Sequence, residues 1–416
     1  MTKYVKRWMS PLLCALLLAQ AVSATTVFAA DRAQAKLTFG EDGKFTILQL
    51  ADTQEDLFPH SAMLEYIARA VAEVQPDLVV FTGDNTADIS FLTGAFWFTI
   101  PWIVEPVARA GVPFTLTFGN HDALLPKGKD WLLRVYQQYD NCLAADMGGN
   151  ITGSANHYLP IYDAAGRTML YNLWFIDSNA YDIEHINISQ LDQIPYDHVR
   201  ADQLNWLRTA NAQLKAANGG KTLPSMTFQH IIPYEISQLL REAPGGESAT
   251  AKYGDRYYYR EFAQDAKVEP GWRLGEFPCA PAVNGGEVEV LREIGCEAVV
   301  VGHDHVNQFI ATLENGVQLI NTGSLGFDAY GADETRGARV IELTNGEGGV
   351  SYDASRIVTY EELFDASEED RAFLAVGKGV LGKCAAMLGL LGAVFGFDRH
   401  DAVRQITAWF AAVSSR

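Results

Sequence analysis

Short apolar segments of this chain end repeatedly in side chains that can bind metals. Residues 45–51 lead into Asp52, and residues 77–82 lead into Gly83-Asp84-Asn85. Three further segments end in the groups Asn120-His121-Asp122, His230 and Gly302-His303-Asp304-His305. Continuous apolar segments of this length are typical of parallel strands covered on both faces. The pattern therefore predicts buried strands that each deliver a polar group to their carboxyl end.

Helical and strand patterns alternate around these segments. Residues 60–74 place Met63, Ile67, Val71 and Val74 at helical spacing between the first two strands, which predicts a β-α-β unit. A second helix is predicted over residues 203–217. Further strands are predicted over residues 113–118, 168–176, 225–229, 297–301 and 316–320, with residues 338–343 as an edge strand. The polar, tyrosine-rich residues 242–278 are expected to form a long surface loop.

The five polar groups are expected to meet in one pocket, because open α/β sheets bind ligands outside the carboxyl ends of their strands. Asp, Asn and His offer oxygen and nitrogen donors, and no cysteine lies near them in sequence. This donor set favours catalytic Zn, Mn or Fe over a structural zinc site. Carboxylates can be shared by two cations, and paired cations about 3.5–4 Å apart suit displacement at phosphorus. The sequence thus predicts a two-metal site for phosphate esters.

The five groups, in this order, resemble the calcineurin-like metallophosphoesterase superfamily. The segment Gly302-His-Asp-His-Val-Asn307 and the later Arg336-Gly-Ala-Arg-Val340 are most similar to its purple-acid-phosphatase-like branch. The resemblance covers residues 45–343 and implies a calcineurin-like metallophosphoesterase domain over residues 31–360. The implied fold class is α/β, a metallophosphoesterase-type sandwich of mixed β-sheets flanked by helices.

The resemblance also implies roles for individual residues. Asp52, Asp84 and His305 would bind one divalent metal ion, with Asp84 bridging to a second ion held by Asn120, His230 and His303. A metal-bridging hydroxide would attack phosphorus, and His121 would act as the general acid, unless it only supports the structure. Asp122 would orient the His121 imidazole. Asp304 is expected to shape the loop between two ligands.

Two positions depart from the family pattern. Gln54 stands where the family usually has a histidine ligand, and its neutral amide oxygen is a poorer donor than imidazole. Gln54 is therefore expected either to coordinate metal, directly or through water, or to support a ligand without binding metal. Ala87 replaces the tyrosine of true purple phosphatases, which argues against a ferric centre and for divalent Mn, Zn or Fe.

The net charge of the chain indicates which classes of binding partner are unfavourable. The chain has 51 acidic and 32 basic residues and a formal charge of −19, which disfavours nucleic acid and anionic lipid as partners. A small phosphomonoester is the first substrate prediction and a phosphodiester the second. Asn156, His157, Tyr234 and the tyrosines of residues 242–278 are candidates for the pocket rim. The competing hypotheses are a catalytically silent scaffold, in which Gln54 marks a degraded first metal site, and an adhesion-type surface protein.

The two ends of the chain carry separate predictions. Residues 1–30 combine Lys3, Lys6 and Arg7 with an apolar run at residues 11–19, as in a secretory signal peptide. The protein is therefore expected to be secreted or periplasmic, while an uncleaved anchor would retain it at a membrane. Residues 361–416 are predicted to form a helical tail that packs against the sheet, with peripheral membrane contact as the alternative.

Four cysteines lie beyond the predicted signal peptide, namely Cys142, Cys279, Cys296 and Cys384. In an oxidising compartment they could form two disulfides in any of three pairings. Buried thiols are the equally weighted alternative.

Overall fold

The computed structural model describes residues 36–87, 94, 96–122, 128–182, 195–245, 250–394 and 398–414. The predicted signal peptide at residues 1–30 lies outside this part of the chain. In chain order the described strands are β1 (Leu37–Thr38), β2 (Lys44–Leu50), β3 (Leu78–Thr82), β4 (Phe114–Thr117), β5 (His157–Tyr162), β6 (Met169–Phe175), β7 (Ser225–Phe228), β8 (Leu240–Ala243), β9 (Thr250–Tyr253), β10 (Arg256–Phe262), β11 (Lys267–Val268), β12 (Arg273–Leu274), β13 (Cys296–Val301), β14 (Asn307–Thr312), β15 (Gln318–Asn321), β16 (Gly337–Gly346), β17 (Gly349–Asp353) and β18 (Ile357–Thr359).

Helices cover both outer faces of the sheets. The described α-helices are α1 (Ser61–Val74), α2 (Phe96–Ala110), α3 (Gly128–Tyr136), α4 (Ala201–Ala217), α5 (Glu287–Glu293), α6 (Tyr360–Phe364), α7 (Glu368–Gly377), α8 (Val380–Val394) and α9 (Arg399–Ser414), and a 3-10 helix spans Tyr234–Leu239.

Two mixed sheets form the centre of the fold. The first has the order β17-β16-β2-β3-β4, with β18 also paired to β16, and its β2, β3 and β4 are parallel. The second has the order β1-β5-β6-β7-β13-β15-β14-β11, with β12 paired to β14, and its β6, β7, β13 and β15 are parallel. A third, small sheet has the order β8-β10-β9.

Alternate residues of each central strand enter different cores. Ile47 of β2 and Val300 of β13 lie in one apolar cluster shared by the two large sheets. Leu48 faces a second cluster with α1 and α2, and Val299 faces a third with α4 and α5. Because both faces of these strands are covered, their sequences are continuously apolar. The predicted α/β sandwich of mixed sheets is confirmed.

Two predictions for individual segments are wrong. Residues 338–343 belong to β16, which is an interior strand between β2 and the pair β17 and β18, so it is not an edge strand. The strands β17 and β18, which pair with β16, are short and only partly buried, so they lack a clear apolar pattern. Residues 242–278 contribute to the third sheet, and Tyr253 and Tyr258 are buried there. Their alternating polar residues are those of an antiparallel sheet with one exposed face.

The C-terminal helices pack on α1. Phe373 of α7, Ala386 of α8 and Val403 of α9 join the same apolar cluster as α1 and the outer face of β2. In the described residues no single helix is both long and apolar enough to cross a membrane. The pair Glu368–Gly377 and Val380–Gly389 meets that test only when the two helices are taken together, and the chain bends by 88° between them.

The structure contains Cys142, Cys279, Cys296 and Cys384 as thiols and not as disulfides.

Candidate metal centre

The predicted ligands meet where strands of both large sheets end. Asp52 and Asp84 follow β2 and β3, and Asn120 follows β4, all in the first sheet. His230 follows β7 and His303 follows β13 in the second sheet. The parallel strands of each sheet place their carboxyl ends along one edge, as the sequence predicts.

One group of donor atoms surrounds His230 Nε2. This nitrogen lies 3.1 Å from Asp84 Oδ2, 3.2 Å from Asn120 Oδ1 and 3.1 Å from His303 Nδ1. Two ligands bound about 2.0–2.1 Å from a single ion lie roughly 2.8–3.4 Å apart at octahedral or tetrahedral angles. The spacing within this group therefore matches the edges of a coordination polyhedron.

A second group adjoins the first. Asp52 Oδ1 lies 3.4 Å from His305 Nε2, and Asp52 Oδ2 accepts a hydrogen bond of 2.9 Å from the backbone N–H of His303. Gln54 lines the same cavity as Asp84 and His305. All seven residues predicted as metal ligands are thus brought together.

Four donor atoms in these groups are buried, and apart from the imidazoles of His230 and His305 that face two of them they have no hydrogen-bond partner. They are Asp52 Oδ1, Gln54 Oε1, Asp84 Oδ2 and His303 Nε2. A buried polar atom without a partner destabilises a fold by about 1–3 kcal/mol, and more when it is charged. Several such oxygen and nitrogen atoms at one place fit divalent cations that would satisfy them. The residues present therefore fit a two-metal site.

Backbone carbonyls fix the orientation of two imidazoles. His230 Nδ1 lies 2.9 Å from the carbonyl oxygen of Thr82, and His305 Nδ1 lies 2.8 Å from that of Tyr330. A carbonyl oxygen only accepts hydrogen bonds, so each Nδ1 carries the proton in these contacts. In the neutral ring, the Nε2 lone pair then points toward the other ligands.

Backbone strain concentrates on the same residues. The φ angles of Asp52, Gln54, Asp84 and His303 are 50°, 36°, 46° and 70°. Side chains other than glycine rarely adopt this left-handed region, and such strained residues cluster at functional sites. This feature has no counterpart in the sequence pattern.

The charges of the site are strongly coupled. Burial lowers the pKa of His230, but Asp84 and Asp52 outweigh this effect and raise it to about 9. Burial would raise the pKa of Asp84, yet the His230, His121 and His303 imidazoles hold it well below its ordinary value. Burial and the neighbouring His230 hold the pKa of His303 well below its ordinary value. Without metal, a His230–Asp84 ion pair thus offsets the charge of the buried carboxylate.

The two predicted catalytic residues occupy different surroundings. His121 is partly exposed and lines the cavity, and its backbone N–H donates to Asp84 Oδ1 over 2.7 Å. Asp122 is fully buried and accepts hydrogen bonds from the backbone N–H groups of Asn85, Thr86 and Gly119 over 2.8–3.1 Å. Burial and nearby Asp84 raise the pKa of Asp122 to about 6. Its carboxyl group joins the loop of Asp84 to the loop of Asn120.

Asp304 has the structural position expected from its sequence context. Its Oδ1 accepts a hydrogen bond of 2.9 Å from the backbone N–H of Cys279, and burial raises its pKa to about 7. The contact fixes the loop between His303 and His305.

The site opens into a cavity of about 330 Å³. Aromatic side chains line it, and sequence reasoning missed them. The Tyr196 ring packs edge-on against His303 at 4.5 Å, and the Tyr330 ring stacks on His305 at 4.3 Å. Tyr181 stacks on Tyr196, and its hydroxyl accepts a hydrogen bond from Asn120 Nδ2 over 3.1 Å. These residues lie in loops where no periodic pattern marks them.

The residues proposed for the rim lie elsewhere. His157 is buried, stacks on Phe175 and contacts Thr115 Oγ1 at 2.7 Å, and Asn156 is buried beside it. Tyr253 and Tyr258 belong to the apolar cluster of α4 and α5, and Tyr234 packs against it. Tyr257 and Tyr259 of β10 are not among the described residues that line the cavity. The buried side chains are structural because strand pairing, which the polar sequence did not indicate, buries them.

Comparison with known proteins identifies similar chains. A family model described as calcineurin-like phosphoesterase matches residues 45–307. "Probable inactive purple acid phosphatase 14" of Arabidopsis thaliana is 26% identical over 362 residues, covering 77% of this chain and 80% of that protein. "Probable inactive purple acid phosphatase 29" of the same plant is 28% identical over 332 residues, covering 74% and 78%. A solved dimetal phosphatase from Danio rerio is 12% identical with a TM-score of 0.44, covering 75% of this chain and 99% of that one.

Proposed function

Because the chain belongs to the calcineurin-like phosphoesterase family, we propose that it is a metal-dependent hydrolase of phosphate esters. The observation that carries this proposal is the set of buried donor atoms on Asp52, Gln54, Asp84 and His303 that hydrogen-bond to no group outside the candidate ligands. The word "inactive" belongs to the names of the plant relatives. This chain keeps oxygen or nitrogen donors at all seven ligand positions.

Two divalent cations are proposed for the site. Asp52, Gln54 and His305 would hold one, Asn120, His230 and His303 would hold the other, and Asp84 would contact both. Bound cations of this kind activate water and stabilise the charge that develops on phosphate during in-line displacement. Donors of oxygen and imidazole nitrogen suit Mn, Zn or Fe(II).

His121 is proposed as the general acid. It lines the cavity, and the hydrogen bond from its backbone N–H to Asp84 ties its position to the metal ligands. A protonated imidazole there would donate its proton to the leaving oxygen of the ester. Asp122 is proposed to orient the His121 imidazole and, by accepting three backbone N–H hydrogen bonds, to hold the Asp84 and Asn120 loops together.

The proposed substrate is a small ester with a single phosphate, preferably a monoester and otherwise a diester. Neither lysine nor arginine is among the described residues that line the cavity. A polyphosphate would therefore find no cationic side chain there for its additional charges. The net charge of −19 likewise disfavours nucleic acid.

Two further proposals concern the export of the protein and the contact of its C-terminal tail with a membrane. The basic and apolar residues at positions 3–19 support secretion or a periplasmic location through a signal peptide. Val380, Leu381, Met387 and Leu388 expose apolar side chains on α8, which supports peripheral membrane contact of the tail. Fractionation of expressing cells, with intact mass of the exported form, tests both proposals.

Hydrolysis assays on metal-depleted protein test the function. Mn, Zn and Fe(II) are added in turn, with p-nitrophenyl phosphate and bis(p-nitrophenyl) phosphate as substrates. Metal-dependent release is expected from the wild type and from the control Asp163→Asn, whose carboxylate lies in an exposed turn. Asp84→Ala is expected to lose the activity. Folded wild-type protein that binds no metal and releases no product would favour a silent scaffold.

A further inference from the structure

One lysine of the C-terminal tail reaches two loops beside the candidate metal centre. Lys383 of α8 forms ion pairs with Asp56, at 3.0 Å from its Oδ2, and with Asp328. Its side chain is only 24% exposed. The ammonium group therefore lies between two carboxylates from distant parts of the chain, partly shielded from water.

Each carboxylate belongs to a loop that carries a site residue. Asp56 comes two residues after Gln54, and Asp328 comes two residues before Tyr330. The carbonyl of Tyr330 orients His305, and its ring stacks on that imidazole. A shift of either loop would move a proposed ligand of the first metal ion.

The two loops also contact each other directly. The backbone N–H of Asp56 donates to Asp328 Oδ2 over 3.0 Å, and that of Phe327 donates to Glu55 Oε1 over 3.1 Å. Glu55 is buried and pairs with His60 at 2.9 Å. Three carboxylates thus meet here, and their mutual repulsion favours a cation between them.

Glu55, His60 and Asp328 alone would have the composition of a metal site. The ammonium group of Lys383 already supplies a positive charge to this cluster. The cluster is therefore better described as an ion-pair network that joins the tail to the loops.

We propose that Lys383 is a positioning residue for the first metal site, through which the C-terminal tail holds the Gln54 and Tyr330 loops together. The inference rests on the proposed function, because it assumes that the site binds two cations. It also gives α8 a role at the proposed site, although the family match ends at residue 307.

Manganese titration of the metal-depleted full chain, followed by calorimetry, tests the inference. Lys383→Met keeps the apolar stem of the side chain and removes its charge. Loss of groups that support metal ligands weakens metal binding by about 10- to 100-fold. Lys383 acts through a loop, so we expect one of the two sites to weaken by about tenfold and the other to keep its affinity.

Two further variants serve as controls. Lys383→Arg preserves the charge and is expected to retain most of the wild-type affinity. Arg399→Met removes another partly buried tail ion pair, the one with Glu105 at 2.5 Å, which holds α9 to α2. It is expected to lower thermal stability without changing manganese affinity, which separates positioning from general loosening of the tail.

The outcomes distinguish the two proposals. Wild type with two manganese ions and Lys383→Met with unchanged affinities would overturn the positioning role and leave the proposed function standing. Wild type without manganese binding would overturn both. If Lys383→Met does not fold, Asp328→Asn replaces it, because the amide oxygen can still accept the Asp56 N–H. Selective weakening of one site in Asp328→Asn supports the inference, and unchanged binding refutes it.

Discussion

Replacing Glu287 by glutamine is expected to stabilise the protein at neutral pH and to change little at pH 5. Glu287 begins α5, is almost fully buried, and has one carboxyl oxygen without a hydrogen-bond partner. Burial and the nearby carboxylate of Glu235 raise its pKa from an ordinary value of 4.5 to about 8. The folded protein therefore keeps this carboxyl protonated where the unfolded chain ionises it.

The sign and size of the effect follow from proton linkage. A raised carboxyl pKa contributes stability that is fully present below pH 4.5 and is lost as the pH rises toward 8. Each pH unit in that window removes about 1.4 kcal/mol from the free energy of unfolding. Between pH 5 and 7 the loss is about 3 kcal/mol, more than the roughly 0.3–1 kcal/mol by which a helix N-terminus favours a carboxylate. Glutamine has a similar shape and does not ionise, so it escapes this loss.

Urea unfolding of wild type and Glu287→Gln at pH 5, 6 and 7, with chelator present, measures the difference. The variant is expected to gain about 3 kcal/mol relative to wild type across this range. Glu293→Gln is the matched control on the same helix, because its carboxylate is 56% exposed and pairs with Arg208. Its effect is expected to be small and independent of pH.

The reasoning would be refuted by a difference between Glu287→Gln and wild type that stays the same at pH 5 and 7. That result would mean that Glu287 is ionised in the folded protein. The surroundings of Glu287 would then have to admit water or a cation.

Three shorter predictions concern the site itself. Gln54→His supplies a better donor and is expected to tighten manganese or zinc binding at one site; unchanged affinity in a metal titration would place residue 54 outside the coordination sphere. His121→Ala is expected to slow hydrolysis of an alkyl phosphate by about 100-fold and of p-nitrophenyl phosphate much less, because nitrophenolate leaves without a proton; equal losses would exclude an acid role. Gly326→Ala would bring a methyl group into contact with the carbonyl oxygen of Thr53. Urea unfolding is expected to show a loss of about 1–3 kcal/mol in the free energy of unfolding. Gly348→Ala is the control, because the space around Gly348 is open, and it is expected to have little effect.

The sequence predicts most of the site because its geometry follows from local patterns. Residues 45–51 were expected to form a strand, and β2 spans Lys44–Leu50. Such a strand is continuously apolar because two cores cover it, and its end is marked by the first polar residue, Asp52. Parallel pairing then brings the ends of β2 and β3 together without further information.

The remaining features depend on contacts that leave no periodic pattern. Tyr196 and Tyr330 reach the cavity from loops, and their aromatic character alone is equally compatible with a core position. Lys383 is 327 residues from Asp56, so nothing near either residue indicates the ion pair. The strands β17 and β18 beside β16 are short and only partly buried, and only tertiary packing determines which side of β16 they occupy.

The arrangement of Asp52, Gln54, Asp84 and His303 bears on whether the site is functional or silent. All four combine a left-handed backbone with a buried donor atom that has no partner outside the candidate ligands. The strained backbone is unfavourable by about 1–3 kcal/mol at each residue, and the unpartnered atoms of Gln54 and His303 add a similar penalty, so without cations these positions oppose folding. A scaffold that needed only the sandwich would be more stable with glycine, asparagine or apolar residues there. Bound cations would satisfy these donors together, so the stability balance supports the proposed metal site over the alternative of a degraded one.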